Sequence, residues 1–265
     1  MWYLIWTWIF KLTNKLVYSV VWNQSFRHDR RLISPAQTKF EPKDPGKYLS
    51  NFGFVDEERV KKTLEKTTQL ATNVLRLPLC WHFKSRFPQL NRPRIHEEVS
   101  SDTLFSSVPG IGGETCAQVF VGKKSLKGAV YGIATESQGH EALQNFINDH
   151  GAPYHIRTDN AQMETGKKWN EIYRRYNISS STTEPHHPHQ NLAERRIQEY
   201  KKGTNRILDW TGAPSYLWFY ALLLWVGLLN VLFDPNLGMN PHEIATGYTA
   251  DMSAYLDFTF YDPIY

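Results

Sequence analysis

The chain has 265 residues, of which 41% are hydrophobic and 21% charged, so a packed core is feasible and global disorder is excluded. A formal charge of +4 and a pI near 8.9 are compatible with an anionic partner without requiring one. Two cysteines, Cys80 and Cys116, exclude a disulfide framework and a cysteine-based zinc knuckle, and make a reducing compartment the default.

The first ten residues, MWYLIWTWIF, are apolar but stop at Lys11, with no basic stretch before them and no small-residue cleavage site after, so they do not read as a signal peptide. Residues 1–50 show no regular pattern beyond a basic patch at Arg27, His28, Arg30 and Arg31. Residues 55–76 predict an amphipathic helix, with Val60, Leu64, Ala71 and Leu75 near one stripe and acids leading at Asp56, Glu57 and Glu58. Residues 77–96 read as a basic linker, broken by Pro78, Pro88 and Pro93.

From residue 97 the pattern changes. VSSDTLFSS, CAQVFVG and GAVYGIAT are short β-rich runs separated by turns and predict a three-strand meander. HEALQNFINDH predicts a helix stopped by Gly151. APYHIRTDN reads as a strand ending on acid, GKKWNEIYRRYN as a helix, ISSSTTEP as a fifth strand, and residues 191–210 as a long helix. Gly212 and Pro214 separate that helix from an apolar one at residues 215–233. The order β-β-β-α-β-α-β-α-α implies a mixed α/β sheet, antiparallel at its start and parallel in its continuation.

Residues 216–233 carry eighteen uncharged residues, the threshold length for a membrane span. The Gly-Ala-Pro before them and the Asp-Pro-Asn after them favour a buried or subunit-facing helix instead.

Three acids stand out. Asp159 closes a strand, and Glu194 lies on the first turn of a helix, with thirty-four residues between them. Alone, each has an ordinary explanation: Asp-Asn is turn chemistry, and an acid in a first turn suits the helix dipole. Asp102 lies in the first and central strand, where an inward carboxylate is costly unless it meets a cation. Glu114 competes with it but sits in GIGGET, which reads as a loop. In the long helix, Glu194, Gln198, Lys201 and Asn205 share one face, beside a more buried stripe of Ala193, Ile197, Tyr200, Thr204 and Leu208.

These segments carry a resemblance. IRTDNAQ, TEPHHPHQNLAERRIQ, SSDTLF and NPHEIATGYTADMSAYLDF together resemble the catalytic core of retroviral-type integrases, and within that group the integrases of copia-type retrotransposon polyproteins. The resemblance implies a ribonuclease-H-like fold: a five-stranded mixed sheet flanked by helices, with the core over residues 97–247. It places a helical and irregular N-terminal extension at 1–96 and a tail at 248–265.

It further implies a metal-dependent polynucleotidyl transferase performing DNA 3′-end processing and strand transfer. Asp102, Asp159 and Glu194 would be the catalytic and metal-binding carboxylates for two Mg²⁺ (or Mn²⁺). Asn160, Gln190, Asn191, Gln198, Lys201 and Lys202 would be nucleic-acid contacts. The implied partners are element-end and target DNA, further copies of the chain and other parts of the polyprotein, in the nucleus and in cytoplasmic retrotransposon particles. No membrane partner is expected.

Two departures accompany the resemblance. The acid spacing is one residue short of the usual thirty-five, expected in the loop at 182–190, and Leu192 replaces a usual Gly, which reduces loop freedom. His186, His187 and His189 do not read as a zinc site, being broken by Pro188 and without nearby Cys. The family's upstream His-His-Cys-Cys domain is not found in residues 1–96, so the chain is expected to be a fragment of a longer polyprotein. The rival readings are an inactive nucleic-acid-binding relic, a membrane protein anchored through residues 216–233, and a ribonuclease H.

Overall fold

The computed structural model describes residues 44–69, 93–159, 166–182, 192–256 and 259–262. Five strands form one sheet: β1 (Arg94–Phe105), β2 (Cys116–Gly122), β3 (Gly128–Ile133), β4 (Ala152–Thr158) and β5 (Ser179–Thr182). Their order is β3-β2-β1-β4-β5. The β1–β2 and β2–β3 pairs are antiparallel, and the β1–β4 and β4–β5 pairs are parallel. A loop over residues 106–115 joins β1 to β2, and a shorter turn over 123–127 joins β2 to β3. The parallel pairs need longer crossovers; the one into β4 carries α2 (Gly139–His150) and the one into β5 carries α3 (Lys167–Tyr176). This is the five-stranded mixed sheet of the ribonuclease-H-like fold.

The strands alternate between two covered faces. One face presents Leu104, Ala117, Val119, Val121 and Val130, and packs against α4 (Leu192–Thr211) and α5 (Trp218–Val231). The other presents Val99, Cys116, Phe120, Ile133 and Ile156, and packs against α2 and α3. Every residue of β2 is buried because both of its faces are covered.

The apolar stretch at 216–233 is a core helix. A 3-10 turn, Ser215–Leu217, leads into α5, which buries Trp218, Ala221, Leu222, Trp225, Val226, Leu228, Leu229 and Val231. Asn230 is its polar clamp: its Oδ1 accepts from the Gly128 amide at 2.8 Å, and its Nδ2 donates to the Gly128 carbonyl at 2.8 Å. The α4–α5 contact requires Gly203, where an added Cβ would lie 2.0 Å from the Trp225 ring. Among the described residues, no helix is long and apolar enough to cross a membrane.

Two boundaries differ from the sequence expectation. β1 begins at Arg94, inside the stretch read as linker. Arg94 pairs with Ala152, and its guanidinium donates to the carbonyls of Tyr176 and Asn177, so this basic residue staples β1 to the end of α3. The helix expected over 55–76 is α1 (Glu57–Lys66), which ends ten residues early. Thr67 turns extended at φ −113°, ψ 164°, and its hydroxyl donates to the Thr63 carbonyl. Thr68 then bridges to Asp251, so a tertiary strand contact stops the helix. Val60 is buried as expected and Leu64 is partly buried, while Ala71 and Leu75 lie outside the described residues. Asp44–Tyr265 form one compact unit, with Phe52, Val55 and Val60 in the core beneath α4 and α5. Two further helices close the chain, α6 (Pro241–Thr246) and α7 (Ser253–Leu256).

Candidate active site

The strand register brings the first two acids together. Ser101 and Thr158 form the last pair of the parallel β1–β4 ladder, and the next residues along are Asp102 and Asp159. Asp102 lies on the sheet face covered by α4, on the same side as Leu104. It is partly buried, and its Oδ1 accepts from the Thr103 amide at 2.7 Å. Asp159 is exposed, one residue beyond the end of β4, and Glu194 is exposed in the first turn of α4, which crosses β1 and β2.

These groups share one electrostatic neighbourhood. Burial pushes the Asp102 carboxyl up to about 6; the Thr103 amide opposes this, the charges of Asp159 and Glu194 add to it, and Lys201 pulls the other way. Asp159 beyond β4, and Glu194 and Lys201 on α4, therefore lie within electrostatic reach of Asp102 on β1. As the side chains stand, no group of three or more His, Cys, Asp or Glu among the described residues is close enough together to hold an ion. The donor chemistry nevertheless fits a hard divalent cation, which takes carboxylate oxygens and retained water. A cation would also offset the desolvation and like-charge repulsion that raise Asp102.

Helix α4 has the two-sided surface expected of it. Glu194, Gln198, Lys201, Lys202 and Asn205 are exposed; Ala193, Ile197, Tyr200 and Thr204 are buried and Leu208 is partly so. Gly203 and Ile207 also belong to the buried stripe, which the sequence pattern missed. Leu192 opens the helix and packs against the core, so the residue that replaces the usual Gly serves as the helix's first apolar contact. Asn160, Gln190 and Asn191 lie outside the described residues, as do His186, His187, His189, Cys80 and His82. Glu114 sits in the loop between β1 and β2, where its Oε2 accepts from the Gly112 amide.

Sequence reasoning missed the supports beneath the acids. On the face of β1 opposite Asp102, the Thr103 hydroxyl donates to Gln118 Oε1 at 2.9 Å, and Gln118 Nε2 donates to the Ser101 hydroxyl at 2.7 Å. Ser101 and Gln118 are buried, so this satisfied chain fixes the backbone on both sides of Asp102. The signal was the hydroxyl–acid–hydroxyl alternation Ser101-Asp102-Thr103 in a central strand. Glu98 is the second support, an ion pair at 2.9 Å to Arg157 Nε of β4 and at 3.0 Å to Lys123.

No protein-family model matches the chain, and no curated protein matches it. Among solved structures, the chain is similar to the HTLV-2 integrase catalytic core domain in complex with magnesium. The trimeric form gives 21% identity and a TM-score of 0.48, covering 57% of this chain and 97% of that one. The dimeric form gives 21% identity and a TM-score of 0.46, covering 58% and 97%. The BIV integrase catalytic core domain gives 18% identity and a TM-score of 0.47, covering 57% and 94%.

Proposed function

We propose that residues 97–247 are the catalytic core of a copia-type retrotransposon integrase, a polynucleotidyl transferase that trims DNA 3′ ends and joins them to target DNA. The observation that supports this reading is the shared field at Asp102, to which Asp159 contributes from beyond the end of β4, and Glu194 and Lys201 from α4.

In this reading Asp102, Asp159 and Glu194 hold two Mg²⁺ or Mn²⁺. When bound, such a pair supplies Lewis-acid stabilisation of the attacking and departing oxygens of an in-line displacement at phosphorus. The chain's own residues set the geometry. Asp102 is held rigidly by β1 and the Thr103 amide, Asp159 extends from the neighbouring strand, and Glu194 approaches from α4. Lys201, two helical turns beyond Glu194, presents its ammonium to DNA phosphate, with Gln198 and Lys202 beside it and Asn160, Gln190 and Asn191 as further contacts. Binding is then phosphate-driven, salt-sensitive and weakly specific for target sequence. The protein works as a homo-oligomer with other parts of its polyprotein, in the nucleus and in cytoplasmic particles.

The test is a nicking and strand-transfer assay on labelled duplex DNA with Mg²⁺ or Mn²⁺, run beside Asp159→Asn and Glu194→Gln. Activity in the wild type and silence in both variants is expected. A folded wild type that binds DNA without metal-dependent cleavage or joining would overturn the enzymatic reading and leave the inactive relic.

A further inference from the structure

At the end of β1 opposite Asp102, the structure holds a cavity of about 410 Å³ that the DNA chemistry does not use. Its size lies within the range of small-molecule sites, about 300–1,000 Å³. The start of β1, the end of β2, the start of β3, the last turn of α2 and the end of α6 enclose it. Ile95, Ala129 and Ile244, each partly exposed, give it apolar walls. Lys127 and His150 line it from separate elements, and the Lys127 ammonium gives it positive charge.

Both side chains are partly exposed. Among the described residues, the Lys127 ammonium makes no ion pair and the His150 ring makes no hydrogen bond. Burial depresses Lys127, with only the charge of Glu97 acting against it. Burial also depresses His150, the Lys127 charge adds to that, and Asp149 opposes it. Two mutually repelling bases thus converge on one space.

The nearby acids are committed elsewhere. Glu97 accepts from the amides of Lys124 and Ser125 and from the Ser125 hydroxyl. Asp149 accepts from the Tyr131 hydroxyl at 2.8 Å. Arg94, also on the rim, donates to carbonyls at the end of α3. An anion entering the cavity would meet a partly buried ammonium and an imidazole N–H, while its body would cover Ile95, Ala129 and Ile244.

We propose that this cavity binds a small organic carboxylate with a flat apolar or aromatic body. An inorganic anion would leave the apolar walls wet, and a neutral hydrocarbon would leave Lys127 unpaired.

The test titrates the full 265-residue chain with 2-naphthoate and its neutral isostere 2-naphthamide, followed by amide chemical shifts and calorimetry. Naphthoate is expected to bind, shifting signals around β1, β3 and the end of α2, and the amide to bind about tenfold more weakly or less, one decade being about 1.4 kcal/mol. Lys127→Met, which keeps the apolar stem, should weaken naphthoate by about tenfold and leave the amide unchanged. Lys127→Gln should do the same should the methionine variant fold poorly. Lys61→Ala, exposed on α1 and away from the cavity, should change neither ligand by more than about twofold. Equal binding of acid and amide, wild-type naphthoate binding in both Lys127 variants, or no binding of naphthoate at about 5 mM would overturn the proposal.

Discussion

Helices α4 and α5 lie on the same face of the sheet and pack against each other, yet their surfaces are built on different rules. α4 alternates a buried stripe with an exposed polar face that carries Glu194, Gln198 and Lys201. α5 has no charged residue and buries most of its circumference. The pairing shows how a small domain separates its tasks. α5 fills the space over β3 and holds Gly128 through Asn230, so α4 can leave half of its surface to solvent. Mutations on the two helices should therefore fail in different currencies, activity on one and stability on the other.

The sharpest break is at the acids. Glu194→Gln and Asp159→Asn should each lower strand-transfer turnover by roughly 1,000-fold or more, about 4 kcal/mol in the barrier. Both positions are exposed, so unfolding free energy should move by less than about 0.5 kcal/mol. Turnover assays paired with urea melts would check this, and a large loss of stability would show that these acids hold the fold. Trp225→Ala should do the reverse. It empties a buried ring position against Gly203 and costs about 3–5 kcal/mol of stability. Turnover per folded molecule should remain within a few-fold of wild type. Equal losses of both kinds at either helix would erase the division.

Much of this division was legible in sequence because it rests on local periodicity. The 3.6-residue stripe of α4 named its buried and exposed faces, and the lack of charge in α5 marked it as buried or membrane-spanning. The alternating runs located β2 through β5 closely. What periodicity could not carry is pairing across the chain. β1 starts at Arg94 because of Ala152, Tyr176 and Asn177, all far away in sequence. α1 stops at Lys66 because Thr68 meets Asp251. The Asp102–Asp159 approach likewise depends on the β1–β4 register, and was reached only through the resemblance of the segments around it. The Ser101–Gln118 support stayed hidden because a buried amide in an apolar strand looks like an interruption of the pattern, not a partner.

Asp102 sharpens the comparison because it lies under α4 and belongs to both tasks. Its folded-state pKa of about 6 lies above the usual value of 3.8. Between these values the native state binds more protons than the unfolded state, so stability is fully present below pH 4 and falls as pH rises through 6. The ionised carboxylate then costs roughly 2–3 kcal/mol at neutral pH. Asp102→Asn should remove this cost, raising neutral-pH stability by up to that amount while abolishing strand transfer. Denaturant midpoints of both proteins from pH 4 to pH 8 would check it. Parallel profiles would mean that Asp102 is not desolvated in solution.

The smallest expected effect is the most specific to the exposed polar side of α4. Lys201 is exposed, so Lys201→Gln should leave the melt unchanged within about 0.5 kcal/mol. A single phosphate contact removed from duplex DNA should lower the slope of log binding constant against log salt by about one and weaken all sequences alike. The same change at Asn205, one turn further along the same face, removes no charge, so Asn205→Ala should keep the wild-type slope. Lys201 also lowers the Asp102 pKa, so Lys201→Gln should move the steep part of the stability profile to higher pH, which a neutral residue at 205 cannot do. A shared slope change in both variants would place the DNA elsewhere on the protein. A slope change confined to Lys201, accompanied by the Asp102 displacement, would tie phosphate binding and the carboxylate site to one helix face.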